Sequence, residues 1–182
     1  KVNKLMKILK TNIKDLLVII QKNNKDNRGI LRETFNKKLL KKNFVFEYCT
    51  RSKNNVVRGF HFQTKFQQAK FVNVVKGKIL DVVIDLRKNS KTFGKIFKII
   101  LSSKNAKGLY IPRGFGHAYY SFEKENIIYY KLDNFYKPKF EHGIIFNDKK
   151  LNIKWPKKKI IASKKDKKLI SFNKFCAIYR GL

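Results

Sequence analysis

Apolar residues in this chain fall in short runs separated by polar turns, and most runs alternate or are too brief to make a long helix. The pattern predicts strands at Leu16–Gln21, Phe44–Tyr48, Val56–Gln63, Lys70–Lys76, Ile79–Leu86, Lys95–Leu101, Gly108–Ile111, His117–Phe122 and Asn126–Lys131. Turn signals such as Lys76-Gly77-Lys78 lie between them, and a spacing near ten residues suits a sandwich or barrel. Helical periodicity is confined to Arg32–Lys42 and a piece around Asn173–Tyr179. The expected class is therefore all-β, a barrel with a few short helices. No repeat, Ser/Gly linker or Pro-rich break divides the 182 residues, so a single domain is expected. Within it, an arm would occupy about 1–50, the barrel core about 55–135 and a C-terminal extension about 136–182.

Composition adds a packed core and a strong positive charge. Hydrophobic residues make up 43% and aromatics 14%, which favours a globular β protein over disorder. The longest apolar stretches, Leu16–Ile20 and Ile79–Ile84 with its Asp81, fall far short of the roughly 20 residues that cross a bilayer, so no membrane span is expected. The opening KVNKLMKILK lacks the apolar core and cleavage site of an export signal. Cys49 and Cys176 are isolated, which points to reduced thiols and a cytoplasmic setting rather than to a disulfide framework or zinc site. The net charge of +32 raises nucleic-acid binding as a minor reading. Only seven of the 44 basic residues are Arg, and the Lys are spread from end to end without a sharp stripe.

With three His and 12 acidic residues, candidates for proton chemistry are few. In Arg58-Gly59-Phe60-His61-Phe62-Gln63, strand alternation sends Phe60 and Phe62 to one face and His61 with Gln63 to the other, where a barrel could open a ligand cavity. His117 follows a turn-rich Ile111–Gly116 lead. A metal-binding barrel of the cupin type usually carries a second His two residues after the first, and Gln63 stands there, so no metal is expected. Tyr130 and Tyr136 would share a face on an extended strand. Taken singly, each of these residues also has a plain packing explanation.

Their order along the chain resembles the dTDP-4-dehydrorhamnose 3,5-epimerase family over nearly the whole length. The segments that carry the resemblance are Asp26–Phe35, Arg58–Gln63, Gln68–Lys70, Asp85–Gly94, Leu109–His117, Tyr130-Lys131, Glu141–Ile144, Asn147-Asp148, Ile153–Pro156 and Ser163–Asp166. The resemblance implies a cupin-type jelly-roll β-barrel, a homodimer, no cofactor, and a dTDP-4-keto-6-deoxyhexose substrate epimerised at C3 and C5 on the way to dTDP-L-rhamnose-type sugars. The positive field would draw such a diphosphate. By resemblance, His61 is the base, Asp166 the carboxylate behind it, Tyr130 the acid on the opposite face of the sugar, and Lys70 the cation at the enolate oxygen. Arg58, Gln63 and His117 would bind ligand, Arg28, Glu33, Glu141 and Lys165 would make further nucleotide-sugar contacts, and Tyr136 would stack on thymine. The alternatives are a relative that epimerises C3 alone or takes another nucleotide or a heptose, and, from a different class, a non-catalytic basic cupin that binds nucleic acid.

Two features depart from the family pattern. Phe46 and Tyr48 stand where the family usually carries Gln and Asn, which removes two amide contacts to ligand. Arg58 and His61 are also an odd number apart, so strict alternation would place them on opposite faces. A twist or bulge is needed to aim Arg58 inward, or else it serves a site shared across a dimer.

Overall fold

The computed structural model describes residues 6–182. Lys1–Leu5, the first part of the expected arm and of the segment read against export, lie outside the described residues. Among the described residues, thirteen strands form in chain order. They are β1 (Met6–Lys10), β2 (Leu17–Gln21), β3 (Asn23–Asp26), β4 (Gly29–Arg32), β5 (Phe46–Ser52), β6 (Val57–Gln63) and β7 (Lys70–Lys76). The rest are β8 (Lys78–Asp85), β9 (Ile96–Ser102), β10 (Lys107–Ile111), β11 (Phe115–Ser121), β12 (Asn126–Leu132) and β13 (Glu141–Gly143). Among the described residues two α-helices accompany them, α1 (Lys37–Leu40) and α2 (Phe172–Tyr179), with two short 3₁₀ turns, Pro138–Phe140 and Asp166–Lys168.

The strands make two large antiparallel sheets, ordered β1-β2-β10-β7-β12-β5 and β13-β6-β11-β8-β9, plus the small β3–β4 hairpin. The large sheets face each other across one apolar core, the jelly-roll form of the cupin architecture, as two open sheets rather than a continuously hydrogen-bonded cylinder. Alternation builds this core. Val72 and Val74 of β7, Ile79 and Val83 of β8, Leu109 and Ile111 of β10, and Ile128 and Leu132 of β12 all point inward and are buried. Burying one such aliphatic side chain contributes about 1.5–3 kcal/mol. The outer face of the second sheet is covered by α2, whose fully buried Phe175 meets the ring of Phe62 edge to face at 5.3 Å.

All nine predicted strands form, with ends shifted by one or two residues or slightly more. The helix expected over Arg32–Lys42 shrinks to Lys37–Leu40 because Arg32 is committed to β4, paired with Asn23. Asn36 caps the short helix by accepting from Leu39 N at 3.1 Å, and Lys41 ends it in the left-handed region. Strands β1, β3, β4 and β13 were not expected: they are three to five residues long, too short to show alternation, and each is a strand through its pairing, β1 with β2, β3 with β4 and β13 with the distant β6. The last of them, β13, pairs Glu141 with Gln63 and so brings a C-terminal carboxylate beside His61.

Candidate active site

The site is built on neighbouring strands β6 and β11, where a bulge resolves the parity problem of Arg58 and His61. His117 pairs with His61, but Tyr119 pairs with Arg58, so three steps on β6 oppose two on β11. The extra residue turns both Arg58 and His61 to the inner face. Gly59 lies in the bulge at φ +111°, and a Cβ there would stand 2.3 Å from the His117 carbonyl oxygen, so only glycine fits. Arg58 Nε then donates to Ser52 Oγ on β5 at 3.2 Å.

His61 lines a cavity of about 230 Å³ together with Lys70, Gln63, Tyr136 and Glu141. Behind it, His61 Nε2 donates to Asp166 Oδ1 at 2.7 Å, and Gly59 N approaches Asp166 Oδ2 at 3.4 Å. Asp166 sits on a short 3₁₀ turn, Asp166–Lys168, and is buried. Burial raises its carboxyl pKa, but the hydrogen bond and charge of His61, with help from Gly59 and Ser163, outweigh this and hold it below the usual value. This is an imidazole with a fixed orientation and an ionised partner. Lys70 reaches the cavity from the inner face of β7, and burial pushes its ammonium down to about 8 against the opposing pull of Glu141 and Asp81.

A second His–carboxylate pair faces the first. His117 Nε2 meets both oxygens of Asp81 at 3.0 and 2.9 Å, and both residues are buried. Its ring stands edge-on to Tyr130, with centroids 6.1 Å apart. Tyr130 is only 3% exposed and burial raises its phenol pKa well above the usual value. At the cavity rim, Glu141 accepts from Tyr136 Oη at 2.7 Å and from Lys165 Nζ. Burial raises the Glu141 pKa, but the bonds from Lys165 and Tyr136 and the charges of His61 and Lys165 bring it below the usual value.

The fold thus places His61, Lys70, Gln63, Tyr136 and Glu141 on the cavity wall, with Asp166 bonded to His61 and Lys165 to Glu141. His117 and Tyr130 are buried beside it without lining it, and Arg58 is exposed, bonded to Ser52. Gln63 contributes differently from its expected ligand role, since both ends of its amide are engaged: Nε2 donates to Phe66 O at 2.7 Å, and Oε1 accepts from Lys137 N at 2.6 Å. It holds the segment that carries Tyr136. Arg28 and Glu33 are not brought to the cavity. Arg28 pairs with Asp26 at 2.6 Å on the exposed hairpin, and Glu33 accepts from Asn36 Nδ2 at 2.7 Å. The site residues not foreseen are Gln68 in the cavity wall and Asp81 behind His117, while Phe46 and Tyr48 line the cavity at the positions where two amide contacts are replaced. Asp81 did leave a signal, a carboxylate on the inward parity of an otherwise apolar strand.

Comparison with known proteins supplies the context. Residues 10–174 match the family model described as dTDP-4-dehydrorhamnose 3,5-epimerase. A protein of that name from Shigella flexneri is 39% identical over 168 residues, covering 88% of this chain and 93% of its own. Among solved structures, a dTDP-4-dehydrorhamnose 3,5-epimerase from Bacillus anthracis with TDP and pyrophosphate bound superposes with a TM-score of 0.88 at 36% identity, covering 92% of this chain and 99% of that one. A dTDP-6-deoxy-D-glucose-3,5-epimerase from Legionella pneumophila in complex with dTDP-4-keto-L-rhamnose gives a TM-score of 0.88 at 35% identity, over 92% of this chain and 93% of that one.

Proposed function

The chain belongs to the dTDP-4-dehydrorhamnose 3,5-epimerase family of isomerases, and from that premise we propose that it inverts C3 and C5 of dTDP-4-keto-6-deoxyglucose with His61 as base and Tyr130 as acid. The observation that carries this reading is the His61–Asp166 pair on the cavity wall, 2.7 Å between Nε2 and Oδ1, with the Lys70 ammonium on the same cavity. With Nε2–H given to Asp166, Nδ1 is the basic nitrogen. The C4 ketone acidifies the hydrogens at C3 and C5. His61 takes one of these protons, the C–H electron pair moves into an enolate, and Lys70 stabilises the charge on oxygen. Tyr130 then delivers a proton to the opposite face of the carbon, leaving a phenolate that solvent reprotonates, while His61 returns its proton to water.

In this reading His117, fixed by Asp81, and Arg58 bind the substrate's oxygens, the latter suited to the diphosphate through its forked donors. Tyr136, with Glu141 and Lys165 at the rim, receives the nucleotide. The reading includes a cytoplasmic homodimer. Its support is that Cys49 and Cys176 are free thiols, and that Ile30 and Leu31 of the β3–β4 hairpin are 58% and 71% exposed, an apolar pair beside Arg28 suited to a second copy of the chain. Arg28 and Glu33 would then reach ligand across that contact. Among the described residues, no helix is long and apolar enough to cross a membrane.

Incubating the protein with dTDP-4-keto-6-deoxyglucose in deuterated water tests the activity. Deuterium should enter at C3 and C5 and disappear in His61→Ala; a folded wild-type protein that exchanges neither position refutes it. Exchange at C3 alone would select a single-centre epimerase.

A further inference from the structure

On the β5–β12 side of the cavity the phenol nearest the ligand space is Tyr48, with Tyr130 behind it. The pairing of β12 with β5 sets Tyr130 directly opposite Tyr48. Their rings stack with centroids 4.7 Å apart and planes 21° from parallel. Tyr48 lines the cavity and is 37% exposed, whereas Tyr130, at 3%, does not line it. The other flank of Tyr130 is closed by His117, so the ring is held between an imidazole and a phenol. Phe46, on the same face of β5, extends the aromatic wall towards Phe135, at 5.9 Å from Tyr48 and 6.3 Å from Phe135. Burial pushes the Tyr48 phenol up to about 12, so this wall is neutral at working pH.

Resting on the epimerase reading above, we propose that Tyr48 is a specificity-determining residue that controls how often a proton from Tyr130 reaches the sugar. His61 and Tyr130 serve opposite faces of the sugar carbon. When His61 removes the proton, the enolate can be quenched in two ways. Return of a proton or deuteron by His61 restores the original configuration and appears only as exchange. Delivery from Tyr130 forms the C–H bond on the other face, breaks its O–H bond and inverts the centre. Tyr48 lies across the second route and leaves the first open. Its partly exposed ring gives it room to swing towards solvent, and each delivery from Tyr130 requires that movement. Exchange therefore exceeds inversion, and the ratio between them is set by Tyr48.

The test follows deuterium content and configuration at C3 and C5 together, by NMR, for the wild type, Tyr48→Asn and Tyr48→Phe. Tyr48→Asn removes the stacked ring and should raise inversion per exchange event at least about threefold at one carbon. Tyr48→Phe keeps the ring and should leave the ratio within about twofold of wild type. Tyr48→Leu, which retains apolar bulk on the wall, should shift the ratio in the same direction as Tyr48→Asn, and dTDP binding with thermal melting checks that each variant is folded. An unchanged ratio in folded Tyr48→Asn and Tyr48→Leu overturns the proposal. So does a loss of inversion in Tyr48→Phe as large as that in Tyr130→Phe, which would make the Tyr48 hydroxyl the donor. Absence of exchange in the wild type overturns both this inference and the epimerase reading. Exchange that His61→Ala abolishes, with a ratio that Tyr48 variants do not move, overturns this inference alone.

Discussion

Raising the pH should switch this protein off through Lys70. Burial lowers its ammonium from the ordinary lysine value to about 8, which places its titration inside an accessible range. The proposed role requires the protonated form, since the neutral amine lacks the charge that stabilises an enolate oxygen. The Lys70 contribution should therefore be full about a unit below pH 8 and be lost as pH rises through it. At pH 9 roughly one-tenth of Lys70 would remain charged, so kcat/KM should be about tenfold below its plateau, and a further unit should bring roughly another factor of ten. The phenols will not produce this limb: burial holds Tyr130 well above the ordinary tyrosine value and pushes Tyr48 up to about 12. The assay is initial-rate deuterium exchange at C3 and C5 from pH 6.5 to 10, with short incubations, for the wild type and Lys70→Met. Lys70→Met should lose about 10²–10³ in rate, the scale of removing one oxyanion donor, and its residual rate should lack the limb near 8. It should also melt at a higher temperature at pH 7, because the cost of burying an ammonium disappears with it. A wild-type profile flat to pH 9.5, or the same limb persisting in Lys70→Met, would refute the assignment.

Asp166→Asn should fold but lose roughly 10²-fold or more in exchange rate, since the amide can hold His61 in the wrong tautomer and cannot balance an imidazolium; a loss below threefold would show that the pair is structural only. Gly143→Ala would place a Cβ 2.2 Å from the Phe60 carbonyl oxygen and 2.8 Å from Leu169 Cδ1. It should cost about 1–3 kcal/mol in urea unfolding and raise KM by displacing Glu141, and wild-type stability would contradict the packing. If the hairpin meets a second copy of the chain, Leu31→Asp should give a monomer in sedimentation analysis, with weaker nucleotide binding because Arg28 and Glu33 lose their reach. An unchanged dimer would move the interface elsewhere.

Much of this protein was legible in its sequence because the information was local. Alternation of apolar and polar positions located nine strands, and the same period put His61 on the face opposite Phe60 and Phe62. The ordered motifs identified the family, and with it Asp166, 105 residues away from His61. Lys41 and Asn36 show where local reading stopped: a helical pattern over Arg32–Lys42 became four residues once Arg32 paired with Asn23. Other decisions belonged to contacts between distant segments. The bulge that turns Arg58 inward exists only in the pairing of β6 with β11, and no period along one strand contains it. The short strand Glu141–Gly143 is a strand only because β6 offers an edge.

The engagement of Gln63 by Phe66 and Lys137, the second carboxylate at His117, and the stack of Tyr48 on Tyr130 depend likewise on which strands become neighbours. Along each regular strand the amino-acid order set which side chains share a face, because side chains alternate with a period of two, and the bulge at Arg58 is the exception. Which of them meet was decided by tertiary structure, through strand order and register. These depend on the packing of the whole core, and they separate a cavity that exposes Tyr48 from one that would have exposed Tyr130.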